Sequence, residues 1–346
     1  MPLIRPPNAS LLVHLGVLLR CANENAALLI EALCNRSAVL ADDVHLACPD
    51  AGQVEVAEEI CRLLGSSQLA QLAPAQVPRF VIDRSAPYAL GAKLARDSSA
   101  RFDAFQPTPS DRYSVHCTPQ IHGASLELLR HAQQVIDSDC VTEAESESAH
   151  EAGVRRYRPS TRAVQRGGGA FDLARTKAAI AAMSSISERR LAKLLDPNQN
   201  HGLPGSLVPN PDGHHYGLTV LRFRAAVLVN ELSELATPAR PNATAAIGAS
   251  DPEATIACPD TVGAEHMCEA LQSVLTLERY AAVQALRVRM AMLARIHGHA
   301  AAPTPGDFAL DVLGQFDRAG LQPIWDAQRR PHEIDTARRL MLESPV

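Results

Sequence analysis

The strongest constraint on the fold is a set of long segments in which apolar residues recur at three- and four-residue steps. This spacing is the period of a helix with one buried face, and Asn8 or Ser10 can cap the first such helix. The sequence therefore predicts a helix over residues 10–33. Its spaced apolar positions are Leu11, Leu15, Leu18, Leu19, Ala22, Ala26, Leu29 and Leu33.

The same period predicts further helices along the chain. Segment 217–235 is apolar nearly all round, which is typical of a helix buried among others. Residues 262–297 predict one very long helix of about 50 Å. No run of alternating β-branched residues indicates a sheet, so the predicted class is all-α, a bundle of long helices. The other predicted helices are a short one ending at Gly65 and those at 124–136, 173–195 and 335–342.

We predict one main domain with a flexible insertion. The acidic, Ser-rich "DSDCVTEAESESAHEAG" is followed by the basic "VRRYRPSTRAVQRGGG". This composition is typical of solvated loops and predicts a flexible acidic and basic loop at 137–169. The predicted parts are N-terminal bundle helices in 1–65, a connecting segment with one or two short helices in 66–110, a central bundle in 111–300 and C-terminal helices in 301–346.

Composition argues against several classes of protein. Aromatic residues are only 4% of the chain, so Ala, Leu and Val must build most of the core. The net charge of −5 is spread along the chain, which argues against nucleic-acid and membrane-surface binding. We expect no membrane span and no signal peptide. The eight cysteines include no CxxC pair, and we expect reduced thiols in a cytoplasmic protein.

The densest group of reactive side chains lies where a loop runs into a predicted helix. In "DRYSVHCTPQIHG", Tyr113, His116, Cys117, Gln120 and His122 fall within ten positions. A phenol and an imidazole in contact can shift one another's pKa toward neutrality and act as an acid/base pair. The alternative is a tyrosine packed in a helical core. Cys117 has no evident basic partner other than His116, which disfavours a nucleophilic thiol.

This stretch resembles a motif of the aromatic amino acid lyases. "SDRYSVHCTPQIHGASLELLR" is similar to Q-D-x-Y-S-x-R-C-x-P-Q-V-x-G-A in histidine ammonia-lyase and its relatives. The resemblance covers nearly the whole chain and implies a long-helix bundle of the aromatic amino acid lyase type. Further similar segments follow in family order: "GGGAFDLARTKAAIAAMSSISERRLAKLLD", "HGLPGSLVPN", "VLVNELSELATPA", "LERYAAVQAL" and "IWDAQRRPHEIDTARRL".

The resemblance implies a C–N lyase scaffold that assembles as a tetramer, with each active site drawn from three subunits. Family members eliminate ammonia from histidine, phenylalanine or tyrosine with a methylidene-imidazolone electrophile, which an internal Ala-Ser-Gly forms. No Ala-Ser-Gly occurs in this sequence, so we expect no such prosthetic group to be encoded in this chain. The resemblance begins beyond the electrophile, so we expect the family's N-terminal base tyrosine to be missing too.

Several residues take the places of functional residues in the family. Tyr113 matches the second active-site tyrosine, and His116 replaces the arginine that grips the substrate carboxylate. An imidazole cannot reproduce the planar two-pronged clamp of a guanidinium. Asp251 takes the place of a glutamate close to the bound amine, and it completes the expected catalytic group with Tyr113 and His116. The expected substrate-binding residues are Ser110, which stands where the family has a glutamine, Phe171 and Gln120.

Other polar motifs favour structural roles. "GHHYG" at 213–217 has no third ligand at helical spacing, so no metal site is predicted. "HGH" at 297–299 predicts a helix C-terminus, where Gly and cations are favoured. "SERR" at 187–190 predicts buried ion pairs at a subunit contact.

Three hypotheses about function remain open. The first is an ammonia-lyase-like protein of histidine metabolism without its own electrophile. It would be a pseudoenzyme alone, in a homotetramer by resemblance, or a subunit that completes a composite site in a hetero-oligomer with an electrophile-bearing lyase chain. The second is an electrophile-independent enzyme that acts on a small amino-acid-like or biosynthetic substrate through Tyr113, His116 and Asp251. The third is a structural oligomerisation protein.

Overall fold

The computed structural model describes residues 7–35, 40, 45, 50–73, 76–78, 112–151, 161–207, 217–237, 261–321 and 332–343. For some helical residues, among them 136–151 and 161–173, it describes the backbone alone.

These described residues form nine α-helices and no strand, which confirms the predicted all-α class. Single 3₁₀ turns lie at Leu69–Gln71 and Gly205–Leu207. Among the described helices, none has both the length and the apolar character that a membrane crossing requires. In chain order the helices are α1 (Pro7–Leu33), α2 (Ala51–Leu63), α3 (Arg112–His116), α4 (Thr118–Glu151), α5 (Thr161–Leu195), α6 (Thr219–Ala236), α7 (Thr261–His297), α8 (Asp307–Arg318) and α9 (His332–Glu343).

The bundle is built on α1 and α7, which lie side by side and run parallel. Asn25 Nδ2 donates to the carbonyl oxygen of Leu275 at 2.8 Å, and two turns on, Arg289 Nε donates to that of Ala32 at 2.9 Å. The contacts therefore advance in the same direction along both helices. α5 and α6 pack against α7, and α4 packs against α1 and α5.

Two apolar clusters follow one another along the bundle. The first joins the N-terminal halves of α1 and α7 through residues such as Leu15, Leu18 and Leu271. The second joins their C-terminal halves through residues such as Leu29, Leu33 and Leu286. Burial of these leucines removes apolar surface from water, which is the main driving force for assembling the helices.

A buried charged layer separates the two clusters. Arg190 of α5 donates from Nε to Glu278 Oε1 at 2.5 Å, and both side chains are fully buried. Next to this pair, Arg279 donates to Glu24 and, from Nε, to Asn25 Oδ1 at 2.7 Å. Because a buried charge without a partner is costly, this layer favours one alignment of α1, α5 and α7.

Arg289 is a third buried arginine, and it binds carbonyl groups instead of a carboxylate. Its guanidinium donates to the carbonyl oxygens of Ala32 at 2.9 Å, Pro78 at 2.7 Å and His201 at 2.7 Å. Burial lowers the pKa of Arg289. The side chain fastens two connecting segments to the C-terminal end of α1.

The N-terminus of α8 is held by a side-chain carboxyl group from α1. Glu31 Oε2 accepts from the backbone N–H of Gly306 at 3.0 Å, and Ser66 Oγ accepts from that of Asp307 at 2.8 Å. These acceptors satisfy N–H groups that the first turn of a helix leaves without partners. Burial raises the pKa of Glu31 to about 7.

Two predictions about the helices were wrong. Residues 137–151 extend α4, and 161–169 begin α5, so the segment expected as a loop at 137–169 is largely helical. Its glutamates and alanines are good helix formers, which composition alone conceals. α6 is not buried all round, since Phe223 is 65% exposed and Val227 66% exposed. It packs on α5 and α7 with one side only.

Two predictions from short motifs can be compared with the backbone and contacts. α7 ends at His297, and Gly298 follows with φ +78°, so the predicted C-terminus is confirmed. The "SERR" motif does supply a buried ion pair through Arg190. That pair lies between helices of one chain rather than at the predicted subunit contact, because α5 and α7 pack directly against each other.

Candidate functional site

The candidate site is built on a nearly continuous helical segment. The N–H of Cys117 donates to the carbonyl oxygen of Tyr113 at 3.0 Å, and that of Ile121 donates to Cys117 at 3.1 Å. The one-residue break between α3 and α4 therefore keeps the helical hydrogen-bond pattern. Pro119 fits there because the first turn of a helix does not need its N–H. Thr118 Oγ1 also donates to the carbonyl oxygen of Ser114 at 3.3 Å.

Three of the predicted site residues share one face of this segment. Tyr113, His116 and Gln120 follow one another at three- and four-residue steps, which places them on one side of a helix. Tyr113 is 61% exposed, whereas His116 and Gln120 are half-buried. Gln120 Oε1 is enclosed and accepts no hydrogen bond from the described part of the chain. Cys117 lies on the same face as a half-buried free thiol.

The other predicted site residues are not placed by the structure. Ser110 and Asp251 lie outside the described residues. Phe171 belongs to α5, but its side chain is also outside the described set. The catalytic group of Tyr113, His116 and Asp251 and the binding group of Ser110, Phe171 and Gln120 remain predictions as complete sets.

Directly behind this face lies a buried chain of polar side chains. His122 of α4 is fully buried, and its Nδ1–H donates to Asn23 Oδ1 at 2.6 Å. Asn23 Nδ2 in turn donates to Glu59 Oε2 of α2 at 2.5 Å. The chain therefore links α4, α1 and α2.

The electrostatic surroundings keep His122 neutral. Burial and then the positive charge of Arg190 lower the pKa of His122 well below its usual value. Nε2 carries the free lone pair and accepts no hydrogen bond from the residues that the structure describes. Burial raises the pKa of Glu59, the carboxylate at the other end of the chain. The neutral His122 imidazole therefore holds its proton on Nδ1 and orients α4. It does not reach the face that carries Tyr113 and His116.

The site helix is also tied to the buried charged layer. Arg190 Nη1 donates to Thr118 Oγ1 at 3.2 Å, and its Nη2 donates to Ser187 Oγ at 3.1 Å. The guanidinium that pairs with Glu278 therefore also holds the first residue of α4. This support fixes Tyr113, His116 and Gln120 relative to the rest of the bundle.

Sequence analysis missed the polar residues of α1. Asn23, Glu24 and Asn25 are consecutive polar residues inside an otherwise apolar helix, and all three are buried. That interruption of the apolar period was the available signal. Their partners His122, Arg279 and Glu278 lie 99 to 255 residues away, so spacing could not identify them.

The described residues offer no metal site, and the sequence lacks the tripeptide that the family's electrophile needs. The described residues contain no group of three His, Cys, Asp or Glu side chains that could hold a metal ion. The family's prosthetic group needs Ala-Ser-Gly, and the sequence has no such tripeptide. Tyr113, His116, Cys117 and Gln120 thus offer a phenol, an imidazole, a thiol and an amide, without an electrophile of that kind.

Comparison with known protein families places most of this chain in a family of lyases. The model of the aromatic amino acid lyase family matches residues 8–304. Histidine ammonia-lyase of Streptomyces avermitilis is 28% identical over 316 residues, which are 90% of this chain and 52% of that protein. The Geobacillus kaustophilus enzyme is 28% identical over 268 residues, 76% of this chain and 45% of that protein. The chain spans about half the length of the curated relatives it matches.

Solved structures show the same fold at lower identity. Histidine ammonia-lyase from Trypanosoma cruzi superposes with a TM-score of 0.67 at 19% identity, and 97% of this chain covers 54% of that one. The ergothioneine-degrading enzyme ergothionase from Treponema denticola gives a TM-score of 0.70 at 16% identity, with 97% and 58% covered. The helical architecture expected from the resemblance is therefore confirmed.

Proposed function

The chain belongs to the aromatic amino acid lyase family, and we propose that it is an ammonia-lyase-like protein that does not eliminate ammonia unaided. Instead, it supplies side chains to a composite lyase site whose electrophile comes from another chain. Without an electrophile, the amino acid has no covalent route to elimination, because a side-chain base alone does not remove its weakly acidic β-proton.

The observation that carries this proposal is the position of Tyr113. Its side chain is 61% exposed, yet the helical segment that bears it is fixed from behind by Thr118, Arg190 and His122. A catalytic group needs both a fixed position and a site that excludes water. The described residues supply the fixed position. Another chain that covers this face would exclude water from it.

Each side chain on this face has a defined task in such a site. The Tyr113 phenol would donate or accept a proton at the substrate. The His116 imidazole would face the substrate carboxylate with one N–H, in place of a bidentate clamp. Gln120 would accept a hydrogen bond at the Oε1 atom that has no described partner. Ser110, Phe171 and Asp251 belong to the proposal through the resemblance alone.

Complementation tests the composite site. A histidine ammonia-lyase chain would be purified after its own tyrosine, equivalent to Tyr113, has been changed to Phe, so that it retains the electrophile but loses most activity. We then add the unmodified 346-residue chain to this altered lyase and expect urocanate formation to rise at least tenfold. Addition of the Tyr113→Phe variant of the 346-residue chain should give no increase.

The matched control is Val13→Thr, which changes an exposed residue elsewhere on the bundle and should support the same increase as the unmodified chain. No gain in rate with the unmodified chain, although light scattering shows that mixed oligomers form, would refute the composite site. An equal gain with Tyr113→Phe would refute the role of Tyr113.

We also propose that the protein works in a reducing, cytoplasmic setting. Cys21, Cys34 and Cys268 are free and buried, and burial raises the pKa of Cys21 to about 11 and that of Cys268 to about 12. Thiols of this kind pack as small apolar groups and react slowly.

A further inference from the structure

Three segments meet at a junction near the C-terminal end of α1. They are the turn at 66–69, the backbone that leads into α8 and the side chain of Glu31. The N–H of Gln68 donates to the carbonyl oxygen of Thr304 at 3.0 Å, and the N–H of Thr304 donates to Gln68 Oε1 at 3.1 Å. Glu31 Oε2 accepts from the N–H of Gly306 at 3.0 Å. These bonds join the segment after α2 to the start of α8, with Glu31 enclosed between them.

The Glu31 carboxyl group has no contact with water in this junction. The side chain is fully buried, and Oε1 accepts no hydrogen bond from the described residues. A Cβ atom added at Gly306 would lie 3.1 Å from Oε1 and 3.3 Å from the backbone nitrogen of Ser67. Gly306 thus packs closely against Oε1 and leaves no room for a water molecule between them. An ionised Glu31 could be hydrated only if the segments separated.

The surrounding charges do not compensate for a charge on Glu31. Among the described residues, no arginine or lysine forms an ion pair with it. Arg289 of α7 donates to three carbonyl groups instead. Burial raises the pKa of Glu31 to about 7, and this effect outweighs the hydrogen bonds that the carboxyl group accepts. On the adjoining segments, the titratable side chains nearest to the junction along the chain are the buried Cys34 and the exposed Arg62, His299 and Asp307.

α8 has a second attachment at its opposite end. Arg287 Nη2 of α7 donates to Asp317 Oδ1 at 2.5 Å, and this pair does not involve Glu31. If the N-terminal end of α8 separated from α1, its C-terminal end could therefore stay attached to α7. The separation would uncover part of the second apolar cluster. The residues by which α8 packs into that cluster are Ala309, Val312, Leu313 and Phe316.

We propose that Glu31 is a pH-operated latch for α8: when Glu31 loses its proton, the N-terminal end of α8 and the turn at 66–69 separate from α1. Water then reaches the carboxylate, while the Arg287–Asp317 pair holds the other end of α8. A local opening of this kind requires less free energy than global unfolding. The inference concerns this end of the bundle and does not depend on the proposed function.

The direction of the pH effect follows from the proton that the closed form holds. Opening releases this proton at any pH between the open-state pKa of about 4.5 and the closed-state pKa of about 7. The open form therefore becomes more populated as the pH rises through this range, and its population changes little at higher pH. Below pH 4.5 both forms are protonated, and the latch is closed most firmly.

Hydrogen exchange of backbone amides measures this opening segment by segment. After correction for intrinsic exchange rates, we expect protection in the first half of α8 to fall about 50-fold between pH 5 and 7.5. At each pH, these amides should be about tenfold or more less protected than those near Leu29 of α1 and Leu286 of α7. Equal protection of α8 and α7 at every pH would overturn the latch, because the bundle would then open only as a whole.

Two substitutions at the junction should act in opposite ways. Glu31→Gln keeps an acceptor for the Gly306 N–H and carries no charge, so protection of α8 should be the same at pH 5 and 7.5. Gly306→Ala suits the local φ of −69° but crowds Oε1, so protection should be about tenfold lower already at pH 5.

The matched control is Asp307→Asn, which removes an exposed carboxylate from the start of the same helix. This variant should keep the pH dependence of the unmodified chain. A pH dependence of α8 protection that persists in Glu31→Gln, or that is absent from the unmodified chain, would rule out the latch.

Discussion

At the scale of single residues, buried ionisable groups control how stability depends on pH. Glu31 has its pKa raised from 4.5 to about 7 by burial, so the folded chain favours the protonated carboxyl. A raised pKa contributes stability that is complete below the unfolded value of 4.5 and is lost as the pH rises through about 7. The loss is on the order of 3 kcal/mol.

The change Glu31→Gln should remove this loss. Glutamine keeps an oxygen that can accept from the Gly306 N–H and carries no charge at any pH. We expect the variant to melt several degrees higher than the unmodified chain at pH 8, with a smaller difference at pH 5. Thermal unfolding followed by circular dichroism measures this, and Glu55→Gln, an exposed carboxylate, is the control that should change little. A lower melting temperature for Glu31→Gln at pH 8 would contradict the role given to burial.

His122 affects the pH dependence of stability in the opposite direction to Glu31. Its pKa is lowered below the usual 6.5, chiefly by burial, so its contribution to stability is present above pH 6.5 and is lost as the pH falls. We predict that His122→Asn, which keeps an N–H for Asn23, weakens the fold at pH 8 because it leaves a cavity. Between pH 6.5 and 5, its free energy of unfolding should fall less steeply than that of the unmodified chain.

Urea unfolding at a series of pH values measures how steeply the free energy of unfolding falls between pH 6.5 and 5 in the variant and in the unmodified chain. The matched control is His131→Asn, because His131 is an exposed histidine on the same helix and its replacement should leave the acid slope as it is. Equal acid slopes for His122→Asn and the unmodified chain would show that protonation of His122 is not resisted by the fold.

At the scale of helices, the Arg190–Glu278 pair aligns α5 with α7. Arg190→Met should cost about 3–5 kcal/mol, because it leaves a buried carboxylate without its guanidinium. Arg190→Met/Glu278→Leu should cost less than the single change, since no buried charge is then left unpaired. Equilibrium unfolding in urea gives both values. Arg130→Met is the surface control, since the Arg130–Glu55 pair is exposed and should contribute less than about 1 kcal/mol.

How far the helices could be predicted depended on what determines each one. The apolar period was enough for α1 and α7, because their buried faces repeat over many turns. It failed for 137–151, where helix-forming glutamates and alanines lack a clear apolar face. It also failed for α6, because an apolar side chain reads the same whether it faces the core or solvent, as Phe223 does. The clustering of Tyr113, His116 and Gln120 was predictable because local spacing places them on one face.

At the scale of the whole molecule, a lyase-type scaffold and a lyase activity are separate properties. The chain belongs to the family and has its helical fold, while its sequence lacks the tripeptide from which the family's electrophile forms. A site that is fixed from behind and open in front is consistent with a chain that acts together with another. Under the proposed function, Tyr113 would act only when a partner chain covers this face.

Release of ammonia from histidine by the purified chain alone tests this account most directly. The account predicts no release above the rate of a buffer control over a wide range of enzyme concentration, and no difference between the unmodified chain and Tyr113→Phe. Turnover by the unmodified chain that Tyr113→Phe abolishes would contradict it, because such an activity would need no electrophile from another chain.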